Sequence, residues 1–390
     1  MKFSRGNFGV HASIALDKGQ IGVILGPSGG GKTTLLRLIA GLEHMESGAI
    51  YLGDKRIDGL PPEKRAISFM FQDLALFDHL TGRENLCFGL KQHHVPESKI
   101  SEIVENLADK FQIRALLSKK PWAMSGGEKQ RLACARAMAV DPELLLLDEP
   151  FSSLDAPLRR ELRGYLRSRL AESSTTALHV THDVEEAMEL GDVLFLMNHG
   201  SLVVTGKPEA ICSNPADAWC VSLLGLGFLA PVDALRPQGS QVFALCGEAG
   251  FALPASHCKA TLSGLSNPPA YLFCPRGRQR LVPGDFSATV GDFGAATGGN
   301  PTGGAWHGRM APATNTFDAV VRRVAVVDGF KKKAIFEPKG LSPTAENVGP
   351  DGAALPFEID VPQGISLMAG ERIKIYLAPE DCWILPAHAR

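Results

Sequence analysis

Residues 21–40 read IGVILGPSGGGKTTLLRLIA, and this stretch decides the fold of the first half of the chain. A short apolar run from Ile21 to Leu25 predicts a buried strand. It leads into GPSGGGKT, residues 26–33, which matches the pattern G-x-x-x-x-G-K-[ST]. The stretch from Lys32 to Ala40 then has helical character. A strand, a glycine-rich turn and a helix in this order predict a loop that binds phosphate groups.

Each residue type in this loop has a physical reason. Glycines let the backbone wrap around an anion, so that amide N–H groups point at the phosphates. The N-terminus of the following helix adds a positive potential at the same place. Lys32 supplies a charge for the β- and γ-phosphates, and the Thr33 hydroxyl can bind Mg²⁺. The loop alone does not separate a kinase, a GTPase and an ATPase.

A second motif, LLLLDE at residues 144–149, places two carboxylates after a run of four leucines. Such a run predicts a central strand that is covered on both faces. Ligands of open α/β sheets bind at the carboxyl ends of the strands. Asp148 is therefore predicted to hold Mg²⁺ through its water shell, and Glu149 is predicted to polarise an attacking water.

A third motif, MSGGEKQR at residues 124–131, predicts a second anion site. Ser125 is a candidate N-cap for a helix that continues through Leu132, and two glycines beside a helix N-terminus expose amide donors. One chain that binds one nucleotide does not need two phosphate sites. We therefore expect the second site to face a nucleotide that is held by another copy of the chain.

The ordered set of motifs resembles the nucleotide-binding subunit of ATP-binding-cassette (ABC) transporters over roughly residues 1–225. In this resemblance Walker A is GPSGGGKT, the signature is MSGGEKQ and Walker B is LLLLDE. The Q-loop glutamine is Gln72 in FMFQD, the D-loop is residues 153–155, and the switch histidine is His182 in VTHD. Met124 stands where the family usually has leucine, an exchange of one apolar residue for another.

The resemblance implies an ATPase that uses ATP and Mg²⁺. Glu149 would be the general base, His182 would hydrogen-bond the γ-phosphate, and Gln72 would assist. The Mg²⁺ ion would be organised by Thr33, Gln72 and Asp148. The ATP-binding residues would be Gly26, Pro27, Ser28, Gly29, Gly30, Gly31, Lys32, Thr33 and Thr34.

The resemblance also implies a head-to-tail dimer that closes over two ATP molecules. The nucleotide of one copy would be capped by Ser125, Gly126 and Gly127 of the other, and Asp155 would shape the contact between the two. The aromatic residue that stacks on adenine is left open, with Phe3 and Phe8 as candidates.

Composition divides the chain into two domains. Residues 1–225 alternate predicted strands and helices, so the fold class is α/β: a P-loop ABC cassette with a mostly parallel sheet and a helical subdomain. Residues 226–390 are richer in Gly and Pro and predict a small all-β, OB-like domain with a flexible loop at 291–314. An apolar stripe predicts one helix over residues 100–117. Further strands are predicted at 177–180, 193–197, 319–327, 334–337 and 372–377.

Two stretches of the chain resemble parts of the ATPase subunits of importers for ferric ion, sulfate, molybdate, polyamines and maltose-type sugars. Residues 206–225 resemble the exit from the cassette, and residues 367–386 resemble the last strands of the domain that follows it. The ATPase subunits of those importers end in an OB-like TOBE domain with a stabilising or regulatory role. Import of ferric ion or an inorganic oxyanion is the favoured interpretation. Polyamine or sugar import and a non-transport ABC ATPase stay open as alternatives. A P-loop kinase should lack the signature and the switch histidine, and an idle scaffold would not need a complete set of motifs.

Partners at a membrane follow from the same resemblance: integral permease subunits and, indirectly, a solute-binding protein. Apolar residues between Gln72 and the signature fit either a groove for a permease helix or the interior of the helical subdomain. These residues are Leu74, Leu76, Phe77, Leu80 and Leu86.

The composition excludes several classes of protein. The chain has 390 residues with 40 Lys plus Arg and 42 Asp plus Glu, a formal net charge of −2, which argues against binding of nucleic acid. Eight scattered cysteines without a C-x-x-C pair predict free thiols in a reducing cytosol. No signal peptide and no apolar span of about 20 residues is visible. We therefore expect a soluble chain that is recruited peripherally to the cytoplasmic face of the inner membrane.

Overall fold

The structure is a computed structural model. It describes residues 1–6, 8–173, 175–232, 234–246, 249–258, 270–275, 279–282, 316–327, 331–339, 357–361, 372–377 and 382–386. The chain divides into two units, Met1–Ser213 and Asn214–Arg390. The domain boundary that composition predicts near residue 225 stays a prediction.

The first unit has an α/β fold. Its strands, within the described residues, are β1 Lys2–Arg5, β2 Phe8–His11, β3 Ile21–Leu25, β4 Tyr51–Leu52, β5 Lys55–Arg56, β6 Ile67–Met70, β7 Leu144–Asp148, β8 Thr176–Thr181, β9 Val193–Asn198 and β10 Ser201–Gly206. Eight of them form one sheet in the order β1-β2-β10-β9-β3-β8-β7-β6, and β4 pairs with β5 in a separate hairpin. Within the sheet only β1–β2 and β9–β10 are antiparallel pairs. The predicted α/β class with a mostly parallel sheet is confirmed.

The helices of this unit cover the sheet and form a side group. They are α1 Lys32–Ala40, α2 Gly82–Gln92, α3 Glu97–Lys110, α4 Gly126–Met138, α5 Ala156–Ser173, α6 Val184–Leu190 and α7 Pro208–Ser213. Helix α1 contacts β7 and β8, α6 contacts β3 and β8, and α2 contacts both α3 and α4. The leucine run of β7 is completely enclosed, with Leu145, Leu146 and Leu147 at most 1% exposed. This burial explains why the first four residues of the strand are all leucine.

The helix predicted over residues 100–117 is wrong at its C-terminal end. Helix α3 stops at Lys110, and Gln112 adopts a positive φ of 52°, which reverses the chain. A short 3-10 turn, Arg114–Leu116, then brings Leu116 back into the core at 2% exposure. The apolar stripe therefore continues past the turn, although the helix does not.

Antiparallel strands build most of the second unit. Its described elements are α8 Ala218–Leu224, β11 Gly227–Val232, β12 Ala234–Gln238, β13 Gln241–Cys246, β14 Ala249–Pro254, β15 Ala270–Pro275, β16 Gln279–Val282, β17 Thr316–Val327, β18 Lys331–Lys339, β19 Phe357–Val361, β20 Arg372–Leu377 and β21 Trp383–Pro386. The strands form three sheets, in the orders β11-β15-β21, β12-β13-β14 and β16-β20-β17-β18-β19. The strands predicted at 319–327, 334–337 and 372–377 lie in β17, β18 and β20. The loop predicted at 291–314 lies outside the described residues.

Across the described ranges of both units, no helix combines the length and the apolar character that a bilayer crossing requires. No disulfide bond joins the cysteines there.

Candidate nucleotide site

The loop of residues 26–33 connects β3 directly to α1. Gly29 and Gly31 have positive φ values of 76° and 97°, a conformation that only glycine adopts without strain. A Cβ at Gly26 would stand 2.1 Å from the Met197 carbonyl oxygen, and one at Gly31 would stand 2.9 Å from the ring of Phe8. The loop therefore requires glycine for its conformation and for its close packing.

The turn between β9 and β10 supports the loop from behind. The Gly200 N–H donates a hydrogen bond to the Gly30 carbonyl at 2.9 Å, and the Gly200 carbonyl accepts one from His11 N–H at 2.7 Å. Gly200 has a φ of 80°, and a Cβ there would stand 1.7 Å from the Gly9 carbonyl oxygen. Strand pairs on both sides thus hold the loop in place.

Lys32 lies over its own loop. Its Nζ donates to the carbonyl oxygens of Gly26 at 2.8 Å and Pro27 at 2.9 Å, and the side chain is buried. Burial lowers the pKa of Lys32, while the negative charges of Glu149 and Asp148 oppose that shift. The ammonium group is therefore held at the centre of the loop. Of the other loop residues, Pro27, Ser28 and Gly29 are exposed and Thr33 and Thr34 are half-buried.

Asp148 ends β7, and strand β8 separates it from the end of β3. The strand register pairs Asp148 with Val180 of β8, and pairs the next β8 residue, Thr181, with Leu25 of β3. Asp148 is 2% exposed, and neither carboxylate oxygen has a hydrogen-bond partner of normal geometry among the described residues. Burial raises the pKa of Asp148 against the opposing influence of the nearby Thr33 hydroxyl. A buried carboxylate without a hydrogen-bond partner is unfavourable in its ionised form unless a cation binds to it.

Glu149 and His182 meet at the same edge of the sheet. The Nδ1 atom of His182 lies 3.2 Å from Oε1 of Glu149, and the histidine side chain is 59% exposed. Glu149 has a φ of 51°, in the left-handed region, so its backbone is strained. Its N–H donates to the Val180 carbonyl at 3.0 Å. The arrangement directs a carboxylate outward beside the buried Asp148.

Gln72 lies at the same edge of the sheet, just after strand β6. The register pairs Met70 of β6 with Leu147 of β7, which places Gln72 two residues beyond its strand end, next to Glu149 along the edge. Its side chain is exposed and makes no hydrogen bond within the described part of the chain.

The signature residues form a separate site at the start of α4. Ser125 is the N-cap: its hydroxyl accepts from Glu128 N–H at 3.3 Å, and its own N–H donates to the Glu128 carboxylate at 2.7 Å. A Cβ at Gly126 would meet nothing within 4 Å. An open cavity of about 470 Å³ is lined by Ser125, Gly127, Ser153 and Asp155, together with residues of α4 and α5. No residue of the loop 26–34 lines this cavity, so the signature and the phosphate-binding loop do not share it.

Asp155 has a local role at the start of α5. Its Oδ1 accepts a hydrogen bond from Leu158 N–H at 3.0 Å, which is N-cap geometry. The side chain is exposed beside the signature cavity.

Sequence reasoning assigned no role to two side chains that hold the loops of this site, although Gln130 lies within the signature motif. Gln130 in α4 hydrogen-bonds to the backbone at Glu149 and at Ser153. Arg159 in α5 pairs with Asp183 at 3.2 Å. The sequence signal for Gln130 is its position on a helix face that is otherwise apolar.

The two aromatic candidates near the N-terminus differ in position. Phe3 is 7% exposed and packs in the core between the sheet and α1, whereas Phe8 is half-buried beside Gly31. Of the two, only Phe8 lies against the phosphate-binding loop.

A second, more apolar cavity of about 370 Å³ lies beside β6 and α2, with Phe69, Phe71, Phe77 and Phe88 in its lining. Of the five apolar residues that the sequence offered for a groove, Phe77 lines this cavity. Leu86 is fully buried instead.

Comparison with known proteins agrees with this geometry. The sequence profile of the family described as "ABC transporter" matches residues 10–152. The chain is 44% identical over 230 residues to the sulfate/thiosulfate import ATP-binding protein CysA of Synechococcus elongatus, covering 59% of this chain and 65% of that protein. It is 39% identical over 264 residues to the CysA protein of Nocardia farcinica, covering 66% of this chain and 80% of that one.

A molybdate/tungstate import ATP-binding protein, WtpC of Thermococcus kodakarensis, is 45% identical over 213 residues, which cover 55% of this chain and 64% of that protein. The chain thus spans slightly less than two thirds of the length of the Synechococcus and Thermococcus relatives. The extended match to the Nocardia protein and the matching family profile lead to one conclusion. The chain belongs to the ABC transporter family, and its first unit has the fold of an ABC ATPase cassette.

Proposed function

We propose that this chain is the ATP-hydrolysing subunit of an importer for an inorganic oxyanion. The observation that carries the proposal is the meeting of three features at one edge of the sheet. These are the loop closed by Lys32, the buried carboxylate of Asp148, and the contact between Glu149 and His182. Phosphoryl transfer to water needs this combination of charge neutralisation and water positioning.

Lys32 and the loop amides bind the phosphates in this proposal. The Lys32 Nζ exchanges its contacts with the Gly26 and Pro27 carbonyls for phosphate oxygens. The amides of residues 26–31 and the hydroxyls of Thr33 and Thr34 complete the cradle. Because Lys32 is already buried in the loop, little reorganisation is needed on binding.

The residues of the site fit Mg²⁺. Both Asp148 oxygens lack a hydrogen-bond partner of normal geometry among the described residues, and the Thr33 hydroxyl lies nearby. Oxygen donors of this kind are what Mg²⁺ prefers. When bound, the ion neutralises charge on the β- and γ-phosphates. We assign Thr33, Asp148 and Gln72 to holding it.

Glu149 accepts the proton of the attacking water at its carboxylate. His182 Nδ1 lies 3.2 Å from Glu149 Oε1, so the histidine orients the base, and we assign it a hydrogen bond to the γ-phosphate as well. The strained backbone of Glu149 fixes the direction of its side chain.

A second copy of the chain completes the site. Ser125 and Gly127, on either side of Gly126, line a cavity to which no residue of their own phosphate-binding loop contributes. An anion site without its own nucleotide is explained by a head-to-tail dimer in which it caps the partner's γ-phosphate. Asp155, beside the same cavity, shapes the contact between the subunits.

The imported solute is an oxyanion in this proposal because the relatives' names specify sulfate, thiosulfate, molybdate and tungstate. None of the names quoted above specifies ferric ion, which is therefore less favoured as the solute.

The permease docks a short helix in the apolar cavity that contains Phe77 and the exposed Phe88. A solute-binding protein delivers the oxyanion. The chain works on the cytoplasmic face of the inner membrane, and residues 226–390 form a TOBE-type, OB-like regulatory domain.

Glu149→Gln tests the proposed chemistry. The variant loses the base but keeps the phosphate cradle, so turnover should fall by roughly 10²-fold to 10⁴-fold while ATP binding is preserved. Steady-state phosphate release and titration with a fluorescent ATP analogue measure the two quantities. Glu143→Gln, at an exposed glutamate just before β7, is the matched control and should behave as the unmodified chain. Near-normal turnover of Glu149→Gln refutes the assigned base.

The solute is tested by uptake. Cells that contain this chain with its permease should accumulate labelled sulfate or molybdate, and Glu149→Gln should abolish that uptake. Uptake of iron, polyamine or sugar instead would contradict the oxyanion assignment.

A further inference from the structure

We propose that Gln130 is a positioning residue that ties the signature end of helix α4 to the backbone of Glu149 in the same chain. This inference rests on the proposed function, because it assumes that Glu149 is the base. It adds a physical connection between the two half-sites that one subunit contributes to two different nucleotides.

Gln130 is a polar side chain in an apolar setting. It is 3% exposed and lies on the helix face of Ala133, Cys134 and Ala137, which are at most 4% exposed. A buried amide costs free energy unless its donors and acceptor are satisfied. An apolar residue would pack at this position without that requirement.

The amide of Gln130 is satisfied by a single segment, the loop after β7. Its Nε2 donates to the Glu149 carbonyl at 3.0 Å and to Ser152 Oγ at 3.1 Å. Its Oε1 accepts from Ser153 N–H at 2.8 Å. The orientation of the amide is fixed, because a backbone N–H can only donate and a carbonyl can only accept. Thus one side chain of the signature helix holds both Walker B and the D-loop.

The carbonyl that Gln130 holds belongs to a strained residue. Glu149 has a φ of 51°, and such a conformation persists only where its surroundings fix it. The Ser152 hydroxyl also donates to the Glu149 carbonyl, at 3.1 Å. Gln130 and Ser152 therefore act together on the peptide that orients the Glu149 carboxylate.

The other end of the connection is the signature. Ser125 lies five residues before Gln130, about 7.5 Å along the helix axis, and its capping box keeps this first turn regular. A shift of the helix N-terminus against a partner's phosphate is therefore passed on to Gln130.

The D-loop is held from the opposite side as well. Arg159 Nη2 donates to the Leu154 carbonyl at 2.9 Å, and Nη1 lies 3.2 Å from Oδ2 of Asp183. Asp183 follows His182, which contacts Glu149. The contacts form a closed ring, so the D-loop does not move independently of the base.

Two substitutions of similar volume test the proposal in the full chain. Gln130→Met removes all three hydrogen bonds, and Gln130→Glu keeps the acceptor for Ser153 but places an oxygen against the Glu149 carbonyl. We expect kcat to fall by roughly tenfold to 100-fold, because small misplacements of a base have effects of that size. The KM for ATP and the affinity for a fluorescent ATP analogue should change by less than about twofold.

A double-mutant cycle distinguishes positioning from general damage. In the Glu149→Gln background the additional loss from Gln130→Met should shrink to less than about twofold, because Gln130 acts through Glu149. Gln92→Met and Gln92→Glu, at an exposed glutamine that ends α2, are matched controls and should leave kcat unchanged. If Gln130→Met is poorly folded by thermal melting, Ser152→Ala at the exposed loop should still give a smaller loss of kcat.

The outcomes are separable. If Glu149→Gln is inactive but both Gln130 variants keep kcat within about twofold, the role of Gln130 is overturned and the proposed function stands. Fully additive losses in the cycle likewise overturn it. An unmodified chain without Mg²⁺-dependent ATPase activity overturns the proposed function itself.

Discussion

Asp148 shows how a single residue prepares a site for its ligand. Its carboxylate is buried without a hydrogen bond of normal geometry in the described structure, and burial raises its pKa. When folding raises the pKa of a carboxyl group, the free energy of unfolding falls as the pH rises from the ordinary pKa of the group to its raised pKa. A bound divalent cation reverses this effect, because it favours the ionised form.

Asp148→Asn should therefore stabilise the nucleotide-free chain at pH 8 by about 1 kcal/mol, or about 2–4 °C in Tm. The gain should diminish at lower pH, where Asp148 is protonated, and the stabilisation by Mg²⁺ and ATP should be lost. Thermal melts with and without Mg²⁺ and ATP measure this. Asp54→Asn, in the exposed β4–β5 turn, is the control. A destabilised apo variant would contradict an unpaired carboxylate.

Sequence motifs identify the residues of the site, but they say less about what surrounds each of these residues. They identified Lys32, Asp148, Glu149 and His182, which the structure brings to one sheet edge, and their roles remain proposals. Gln130 was recognised as part of the signature motif but given no role, because a glutamine in a helix is usually solvated and the sequence does not show which face meets the loop after β7. The positive φ of Glu149 has no sequence signal either, since glutamate is not a residue that favours it.

At the scale of elements, two helices begin with the same capping box. Ser125 with Glu128 begins α4, and Thr81 with Glu84 begins α2. Only the first of these N-termini opens onto the cavity that contains the D-loop. The same local structure therefore offers a matched pair for separating helix stability from phosphate binding.

Ser125→Asp should keep the cap, because aspartate is as good an N-cap as serine, and so the Tm should stay nearly unchanged. A carboxylate facing a phosphate should nevertheless lower ATPase activity by at least about tenfold. Thr81→Asp should change neither quantity. Melting curves and phosphate release provide both measurements. Normal turnover in Ser125→Asp would show that this N-terminus does not meet a nucleotide.

Elements were predicted well where burial follows a simple period. The strands at β3, β7, β8 and β9 were identified because continuous apolar runs mark strands covered on both faces. The helix over residues 100–117 was extended too far, because an apolar stripe records which residues are buried and not the direction of the chain. The turn at Gln112 has no glycine or proline to mark it.

At the scale of the whole molecule, the proposed sites are shared between copies. The ATPase rate per chain should then rise with protein concentration, more steeply than a monomeric enzyme allows, because dimerisation limits turnover. Phosphate release over a dilution series, with light scattering in the presence of ATP, tests this. A constant specific rate together with the absence of a dimer would count against shared sites.

Residues 226–390 were predicted as a small all-β, OB-like domain, and the OB-like organisation stays a prediction. Short strands separated by turn residues are visible in the sequence, but the sequence does not reveal how they pair. Strand β11 pairs with β15 and β15 with β21, across more than 100 residues of sequence in the second case. Pairing at such separation is decided by the packing of the whole core, including Phe228, Phe251 and Ile384.

The turn at Gly200 gives the phosphate-binding loop its shape before any nucleotide arrives. The loop is braced by the Gly200–Gly30 hydrogen bond, so its conformational entropy is lost during folding and not on binding. Any larger side chain at Gly200 would collide with the Gly9 carbonyl and displace this brace. A substitution at this turn, remote in sequence from Walker A, would therefore weaken nucleotide affinity in a chain that keeps every residue that contacts the nucleotide.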